Sequence, residues 1–536
     1  MLPNSKLLNV LVVLGIAICL FQAWLPAHYI TCDGPCHLYN ARIVNDIWKG
    51  NNTAVYGRFY ELVYTTDPNS FSTFALAALL YLFNGAVAEK VYLSAYILVY
   101  VVGFIALLRK LSGGSSYWLL SVFVFVFTYA LAKGFYNLSF GIAFYFWMVW
   151  SWLRFLDNPR PAIALLFFLC AALAFFTHLL PFVFGAITCF CLVLSYGFSR
   201  YNSSTQKSVA AYIVRSSIFL VLLLSPFVAM TVWFTTKEGG LRLQLSPHLY
   251  RLIELVEFKY IINLVPAERL WAAVAGICLT ILFVVVALKN VRGFKLHRYD
   301  GFLFCLLPIA FIYIFFPEDF MGRAIIISIR TQLFIFILVV CVLAYRQPGR
   351  QLANAGALIL FACFGMLTLY RVNCRRVADS ALAELLSATN HISPGAVVLP
   401  LDFCPNGKDK SGNLIAVRNA VFHHAAQYMG VDKTLIILDN YEANMGYFPL
   451  RWKKEKNPYI HLSTGAGIEG LPPNARIAAY EQQTGAVVDN VLLWCYDPAY
   501  LSDPGFAELY SHISLNYHQV FASPGSRVLL YARNRP

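Results

Sequence analysis

The segment Phe71-Ser-Thr-Phe-Ala-Leu-Ala-Ala-Leu-Leu-Tyr-Leu-Phe83 decides the topology of this chain. A membrane-spanning helix needs about 20 apolar residues to cross the hydrocarbon core of a bilayer. Because this segment is shorter, the sequence predicts a helix that lies at the membrane surface or re-enters it. If the segment crossed instead, every later segment would change sides, so the distribution of charge has to decide between the two.

The composition is that of a membrane protein. Of the 536 residues, 59% are hydrophobic and only 13% are charged, and the mean hydropathy is +0.62. Soluble globular chains are about half apolar and a quarter charged, so this chain has too little polar surface for water. The apolar segments predict eleven membrane spans, at residues 7–25, 91–108, 116–132, 138–153, 162–177, 180–198, 212–233, 270–288, 301–316, 324–345 and 351–370. The first is longer than the core of a usual signal peptide, which favours a retained span over a cleaved leader.

Lysine and arginine residues between the spans support the surface-helix interpretation. With Phe71–Phe83 not counted as a span, the loops on the N-terminal side contain fourteen basic residues and two acids, Asp157 and Asp300. Because cytoplasmic loops are enriched in Lys and Arg, we predict a cytoplasmic N-terminus and an extracytoplasmic C-terminus. The net charge of +14 therefore needs no nucleic acid as a partner. The basic residues are Lys6, Arg109, Lys110, Arg154, Arg160, Arg200, Lys207, Arg215, Lys289, Arg292, Lys295, Arg298, Arg346 and Arg350.

The acidic residues are distributed in the opposite way. Acids contribute little to the orientation of a membrane protein, so their collection in the outer loops points to a function on that side. The outer acids are Asp33, Asp46, Glu61, Asp67, Glu89, Glu238, Glu254, Glu257, Glu268, Glu318 and Asp319.

A change in composition after Tyr370 divides the chain into a membrane domain, residues 1–370, and a C-terminal domain, residues 371–536. Short apolar runs alternate there with a helical stretch, Val377–Thr389, and with clusters of Gly, Pro and Asn, which predicts a small soluble α/β domain. Its aromatic-basic stretch Tyr447–Trp452 is either an acceptor contact or ordinary packing. The strand-like runs are Ala396–Leu401, Thr434–Leu438, Val488–Trp494 and Arg527–Ala532.

The first outer loop begins with Thr31-Cys-Asp-Gly-Pro-Cys-His-Leu-Tyr-Asn40. If Pro35 opens a helix, Asp33 stands at its start and His37 lies one turn later, so both side chains reach one pocket. A carboxylate beside an imidazole is suited to deprotonating a hydroxyl group. The simpler alternative is that Asp33 only caps the helix.

A second polar group stands at the outer end of the tenth predicted span, where Glu318 and Asp319 are followed by Arg323 and Arg330. Because the two arginines are seven residues apart, we predict that they share one helix face, with Arg330 about 10 Å deeper. An arginine in an apolar span normally faces a cavity or a partner. It either captures an anionic head group, since guanidinium matches phosphate oxygens, or forms a structural ion pair with one of the two acids.

Three more polar positions lie at outer ends of predicted spans. Lys133 follows the third span, His178 closes the fifth, and Glu89 precedes the second. Each is ordinary by itself, because such residues often sit at membrane interfaces for structural reasons. Together they place carboxylates, imidazoles and cations at one membrane level. Cys32 and Cys36 in the first outer loop are either a disulfide or free thiols.

These features resemble the GT-C superfamily of membrane glycosyltransferases that use polyprenyl-phosphate sugars, in particular its uncharacterised bacterial branch. Members have a first span followed by an outer loop that starts with a catalytic acid and contains two helices along the membrane. Here Asp33 matches the loop acid, Pro35–Lys49 the first helix and Phe71–Phe83 the second. The loop Lys133–Asn137 after the third span lacks the second acid that many members carry. The candidates for that second acid are Glu89, Glu318 and Asp319.

By this resemblance the protein is an inverting hexosyl- or pentosyltransferase of a bacterial inner membrane. Asp33 would deprotonate an outer-side acceptor with help from His37, and no metal or other cofactor is expected, although Asp33 with Glu318 or Asp319 offers oxygen ligands for a divalent ion. The predicted partners are the bilayer, the lipid-phosphate sugar donor and a glycan, lipid or protein acceptor, and no nucleic acid. The residues that would hold the lipid phosphate are Lys133, His178, Arg323 and Arg330.

Three other functions stay open at the level of the sequence. A transporter would place ionisable residues near mid-membrane and often shows inverted repeats, whereas most charges here lie at the outer ends and no repeat is evident. A glycan ligase or polymerase is chemically close but lacks the acid in the first loop. A non-enzymatic scaffold or sensor is the third alternative.

Overall fold

The computed structural model describes residues 5–114, 116–199, 206–237, 245–291, 293, 295–320, 323–324, 326–465 and 467–534. Most of these residues are helical, and the C-terminal part of the chain adds a small mixed sheet.

The first span and the loop after it form where the sequence predicts them. They comprise the helices α1 (Ser5–Trp24), α2 (Gly34–Lys49), α3 (Thr53–Tyr56) and α4 (Phe71–Leu79) and the strand β1 (Tyr60–Leu62). Pro35 stands in the first turn of α2, where its missing N–H costs nothing, and Gly50 ends the helix in the left-handed region with φ 71°. At nine residues α4 is too short to cross a bilayer, as predicted.

In the described part of the chain, seven helices are long and apolar enough to span a membrane, and three shorter apolar helices accompany them. Together with the helix Tyr136–Asp157, they provide a helix at each of the predicted spans. The spans after α1 are α5 (Gly85–Ser112), the 3-10 helix Tyr117–Phe125 with α6 (Tyr129–Ala132), α7 (Tyr136–Asp157), α8 (Pro161–Thr177), α9 (Leu179–Ser199), α10 (Gln206–Lys237), α12 (Glu268–Val291), α13 (Gly301–Phe315), α14 (Ile327–Tyr345) and α15 (Arg350–Leu386). Helix α14 is packed on all sides, whereas α10 exposes most of its apolar surface, as a helix in contact with lipid does.

The connection between α13 and α14 corrects one prediction. The chain forms a short antiparallel hairpin of β2 (Asp319–Phe320) and β3 (Arg323–Ala324), and α14 begins only at Ile327. Ile326 has a φ of +49°, outside the helical region, so the helix does not extend back to Arg323. The prediction that Arg323 and Arg330 share one helix face is therefore wrong. A second connection, between α10 and α12, contains α11 (Arg251–Val256) and the 3-10 helix Lys259–Ile261.

The C-terminal part forms a five-stranded mixed sheet with strand order β5 (Ile436–Ile437), β4 (Val397–Asp402), β7 (Asn490–Trp494), β9 (Val528–Arg533) and β8 (Tyr517–Ala522). Strand β4 pairs in parallel with β5 and β7, and the pairs β7–β9 and β8–β9 are antiparallel. All four strand-like runs form strands, whereas β8 is mostly exposed and has no apolar run that predicts it. A further strand is β6 (Leu450–Trp452), and the helices are α16 (Met429–Asp432), α17 (Pro458–His461), α18 (Ile477–Thr484) and α19 (Pro504–Asn516).

Two connections join the C-terminal part to the membrane part. Helix α15 continues without a break past residue 370 to Leu386, so the predicted domain boundary lies inside one helix. Strand β1 of the first outer loop pairs with β6, which places Glu61 opposite Arg451 and stacks the ring of Tyr60 on that of Trp452 at 4.2 Å. The division into two domains stays a prediction, but the two parts share this interface.

Candidate active site

A cavity of about 360 Å³ lies where the ends of the membrane helices meet the first outer loop and the C-terminal part. It brings together four of the residues that the sequence predicted as a site, from segments far apart in the chain. The polar residues that line it include Asp33, His37, Asn137, His178, Arg330 and Glu442.

Asp33 is held at the start of α2 by the loop between α6 and α7. Its backbone N–H donates to the carbonyl oxygen of Lys133 at 3.0 Å. A Cβ atom on Gly134 would lie 2.6 Å from Asp33 N, and Gly134 has a φ of +91°, so this approach requires glycine. The Asp33 carboxylate makes no capping hydrogen bond, and the N–H of Gly34 donates to Thr31 Oγ1. The carboxylate lines the cavity, which does not support the capping alternative.

His37 lies one turn after Asp33 and contacts an acid of the C-terminal part. Its Nδ1 is 3.0 Å from Glu442 Oε1, and its ring stacks on that of Tyr136 with centroids 5.4 Å apart. Asn40 Nδ2 donates to the other Glu442 oxygen at 2.9 Å. Burial lowers the pKa of His37, but the charge of Glu442 and the contact with it, assisted by Asp33, raise that pKa above its ordinary value on balance.

Two nitrogen donors from the membrane helices line the same cavity. Arg330 Nη1 lies 3.4 Å from His178 Nε2, and the guanidinium group lies over the ring of Phe135. His178 Nδ1 accepts the backbone N–H of Leu180 at 3.1 Å, so we assign the proton of the neutral ring to Nε2. Burial and the charge of Arg330 lower the pKa of His178 well below its ordinary value. The imidazole is thus an uncharged donor beside a cationic one.

No acceptor within the described residues separates these two donors. Arg330 forms no ion pair with the described carboxylates. Its Nε is buried and has no hydrogen-bond partner among the described residues. Two N–H donors side by side leave desolvated hydrogens unsatisfied unless a third group accepts from both. A phosphate oxygen is such an acceptor.

The acids near the hairpin have other surroundings. Glu318 Oε1 lies 2.8 Å from Nη2 of the fully buried Arg251, and its Oε2 accepts the backbone N–H of Ser328 at 3.3 Å. The ion pair of Glu318 is therefore with α11. The side chains of Asp319 and Arg323 lie outside the described part of the structure, so the roles predicted for both stay predictions.

Glu89 and Lys133 lie near the site but do not line the cavity. Glu89 is fully buried and accepts hydrogen bonds from the hydroxyl groups of Tyr136 at 2.9 Å and Tyr428 at 3.1 Å. Glu89 therefore holds Tyr136, and the ring of His37 stacks on this tyrosine. Lys133 Nζ donates to Cys32 Sγ at 3.3 Å. The roles predicted for Glu89 as a second acid and for Lys133 in phosphate binding stay predictions.

The residues that the C-terminal part contributes were missed by the sequence analysis, except for the aromatic-basic stretch. Tyr441, Glu442, Tyr447 and Phe448 line the cavity. Tyr447 and Phe448 open the stretch Tyr447–Trp452, which was the one local signal for a contact. No local pattern links Glu442 to the first outer loop, because the contact depends on how the C-terminal part packs on the membrane part.

Most of the remaining lining is apolar, and much of it comes from the ends of membrane helices. Leu179 and Val183 lie in α9, Phe234 in the last turn of α10, and Phe316 after α13. Helix α10 exposes apolar surface along most of its length. The polar end of the cavity is therefore continuous with residues suited to contact a lipid chain.

One group in the described chain has the composition of a metal site. The ligand atoms of Cys32, Asp33 and His424 all lie within 4.8 Å of one another, and all three residues are buried. The sequence analysis did not predict this group, because His424 belongs to the C-terminal part.

The chain was compared with known proteins. No protein-family model and no curated protein matches it. Among solved structures, it is similar to ArnT from Cupriavidus metallidurans bound to undecaprenyl phosphate, with a TM-score of 0.52 and 10% sequence identity over 99% of this chain and 98% of that chain. The chain therefore shares its fold with this ArnT structure. The same ArnT in its apo state gives a TM-score of 0.48 at 11% identity, over 97% of each chain.

The likeness to the lipid-bound ArnT extends over the membrane part and the C-terminal part together. The predicted fold class, a polytopic helical membrane protein with a C-terminal α/β part, is thereby confirmed, and the protein is an integral membrane protein. At 10% identity the comparison shows the fold and assigns no role to a residue.

Proposed function

We propose that the protein is a glycosyltransferase that takes a sugar from a polyprenyl-phosphate donor. One observation carries this proposal: a single cavity contains both a carboxylate–imidazole pair, Asp33 and His37, and a pair of nitrogen donors, Arg330 and His178. The first pair suits deprotonation of an acceptor hydroxyl, and the second suits binding of a phosphate group.

The phosphate of the donor would bind between Arg330 and His178. Its oxygens accept from the guanidinium group and from His178 Nε2–H, which satisfies both donors at once. Because His178 stays neutral, the charge of the phosphate is balanced by the arginine alone at this point, and the imidazole contributes a directed hydrogen bond. The lipid chain would leave the cavity along Phe234 and the other apolar residues.

Transfer would then proceed by a single displacement with inversion. The acceptor hydroxyl gives its proton to the Asp33 carboxylate while its oxygen forms a bond to the anomeric carbon. The bond between that carbon and the phosphate oxygen breaks, and the lipid phosphate leaves with both electrons. Arg330 and His178 stabilise the charge that develops on it. His37, held by Glu442, orients the acceptor beside Asp33.

The topology and the fold support an outer-side reaction. The charge distribution predicts that the side with the C-terminal part is extracytoplasmic. The chain shares its fold with a protein whose structure contains undecaprenyl phosphate. A hexose or pentose as the sugar and a glycan, lipid or protein as the acceptor fit this chemistry equally.

Lipid-phosphate binding tests the proposal. Native mass spectrometry of the purified protein, titrated with undecaprenyl phosphate, would count bound lipid for the wild type, Arg330→Gln and His178→Phe. A hydrogen bond to a charged group contributes about 1.5–3 kcal/mol, so each substitution should weaken binding about 10- to 100-fold. Undecaprenol, which lacks the phosphate, should not compete.

Arg269→Gln is the matched control, because Arg269 is exposed and its ion pair among the described residues is with Glu257 on the surface. It should bind lipid as the wild type does. Binding that is unchanged in a folded Arg330→Gln protein would contradict the proposed phosphate site.

A further inference from the structure

A thiol, a carboxylate and an imidazole meet where the first outer loop contacts the C-terminal part. Cys32, Asp33 and His424 are all buried, and their ligand atoms lie within 4.8 Å of one another. Around a tetrahedral zinc ion with bonds of about 2.0–2.3 Å, ligand atoms are roughly 3.3–3.8 Å apart. To reach that spacing, the widest of these separations would have to close by about 1 to 1.5 Å.

We propose that Cys32, Asp33 and His424 bind a zinc ion that joins the first outer loop to the C-terminal part. This goes beyond the metal-free site expected from the sequence. Thiolate and imidazole ligands select zinc over Mg²⁺ and Ca²⁺, which prefer oxygen ligands only. Three protein ligands leave a fourth position for water or a substrate oxygen.

The surroundings of His424 are those of a metal-binding imidazole. Its Nδ1 lies 3.6 Å from Asp439 Oδ2, and its ring stacks on that of Tyr441 with centroids 4.7 Å apart. The separation from Asp439 Oδ2 is longer than a hydrogen bond, and Nδ1 is buried with no hydrogen-bond partner among the described residues. With a metal on the other ring nitrogen, Nδ1 would donate to this carboxylate. We therefore assign Nε2 as the ligand atom. Asp439 Oδ1 is buried and has no hydrogen-bond partner among the described residues.

The electrostatic field in this cluster favours a cation. Two carboxylates lie beside the His424 ring: Asp439 Oδ2 is 3.6 Å from its Nδ1, and an Asp33 oxygen is within 4.8 Å of a ring nitrogen. The same carboxylates that stabilise a proton on this ring stabilise a divalent ion next to it. An ion would neutralise buried negative charge that is otherwise expensive.

The thiol is in a position to become a zinc ligand. Cys32 is buried next to the other two ligand atoms, and a metal that binds its sulfur displaces the thiol proton. Lys133 Nζ, 3.3 Å from the sulfur, then remains as an N–H donor to the thiolate. Cys36 is a separate free thiol in the structure, so Cys32 is available to a metal.

The zinc site touches the candidate active site through Asp33. One carboxylate oxygen would bind the ion and the other would remain at the cavity, where the proposed function needs it. Only this catalytic consequence rests on the proposed function, because zinc binding is measured without any donor or acceptor.

Metal content and cobalt spectroscopy test the inference on the full-length protein, purified through a tag without histidines. The wild type should contain about one zinc per chain by elemental analysis. After exchange it should bind Co²⁺ with a thiolate-to-cobalt charge-transfer band in the near ultraviolet. Cys32→Ser should lose that band, and His424→Ala should lower metal content at least tenfold.

His518→Ala is the matched control, because His518 is an exposed histidine of the same part of the chain. It should keep full metal content. A wild-type protein without stoichiometric zinc after dialysis against micromolar zinc would overturn the inference. So would Co²⁺ bound without the charge-transfer band, or a Cys32–Cys36 disulfide found by mass spectrometry. If zinc binds but no lipid phosphate does, the proposed function fails while the metal site stands.

Discussion

Glu442 is the residue through which the C-terminal part enters the candidate active site. Its side chain is fully buried and contacts His37 and Asn40 of α2. A buried carboxylate is retained at little net cost only when its partners are in place. The position of the imidazole in the first outer loop therefore depends on a residue about four hundred positions later, and no sequence period reveals that dependence.

Replacing Glu442 with Gln should change how stability depends on pH. The pKa of His37 is raised in the folded state, so the stabilisation from its charged form is complete below about pH 6.5, the ordinary value, and is lost as the pH rises through the raised pKa. As the pH rises from about 6 through the raised pKa of His37, the wild type should lose roughly 1–3 kcal/mol that the variant does not. Thermal unfolding followed by tryptophan fluorescence at each pH measures the difference.

Glu61→Gln is the control for that series, since Glu61 is an exposed acid of β1. It should keep the wild-type slope. Equal pH slopes for the wild type and Glu442→Gln would show that the pair does not hold the charge of His37.

At the scale of elements, the loop between α6 and α7 sets the position of the candidate base. Gly134 approaches the backbone of Asp33 closely and has a φ of +91°, whereas Gly113 has a φ of +71° with no atom near its missing Cβ. Gly134→Ala should cost about 1–3 kcal/mol from the backbone conformation alone, and the clash adds to it. Gly113→Ala should lose only the stability that the unfavourable backbone conformation costs, because no atom lies near its Cβ.

Comparing the two alanine variants isolates the close approach. Gly134→Ala should lower both the melting temperature and the transfer rate, and Gly113→Ala should lower the melting temperature slightly and leave the rate unchanged. Thermal unfolding and sugar transfer on the same preparations measure both effects. A Gly134→Ala protein with the rate of the Gly113→Ala protein would show that the loop does not position Asp33.

The elements themselves follow closely from local sequence. The length of the apolar segments predicted the spans. The short apolar length of Phe71–Phe83 and the distribution of basic residues predicted a short helix there, and the structure has one. Strand β8 and the pairing of β1 with β6 were not predicted, because exposed strands lack a strong apolar run and long-range pairing leaves no local pattern. Arg323 was misplaced because seven-residue spacing implies one helix face only if the helix is continuous.

The same limit applies to the site. Asp33, His37, His178 and Arg330 were found because each is a polar residue at the end of an apolar segment, where its presence is costly. The contribution of the C-terminal part has no such signature, since polar residues are ordinary in a water-soluble fold.

At the scale of the whole molecule, topology decides which compartment supplies the acceptor. A phosphatase reporter, active only outside the cytoplasm, should be active when fused after Asn84 and inactive when fused after Lys110, because α5 crosses between them. A fluorescent reporter that folds only in the cytoplasm should give the reverse pattern. Phosphatase activity after Lys110 would reverse the predicted topology and place the cavity on the cytoplasmic side.

Sugar transfer by the purified protein tests the central claim most directly. With radiolabelled polyprenyl-phosphate sugars and an acceptor fraction from the cell envelope, the wild type and Glu61→Gln should transfer label. Asp33→Asn should bind undecaprenyl phosphate normally and transfer about 10²- to 10⁴-fold more slowly, as loss of a general base predicts. An Asp33→Asn protein that transfers sugar at the wild-type rate would contradict the assignment of Asp33 as the base. It would also contradict the interpretation of this cavity as the active site.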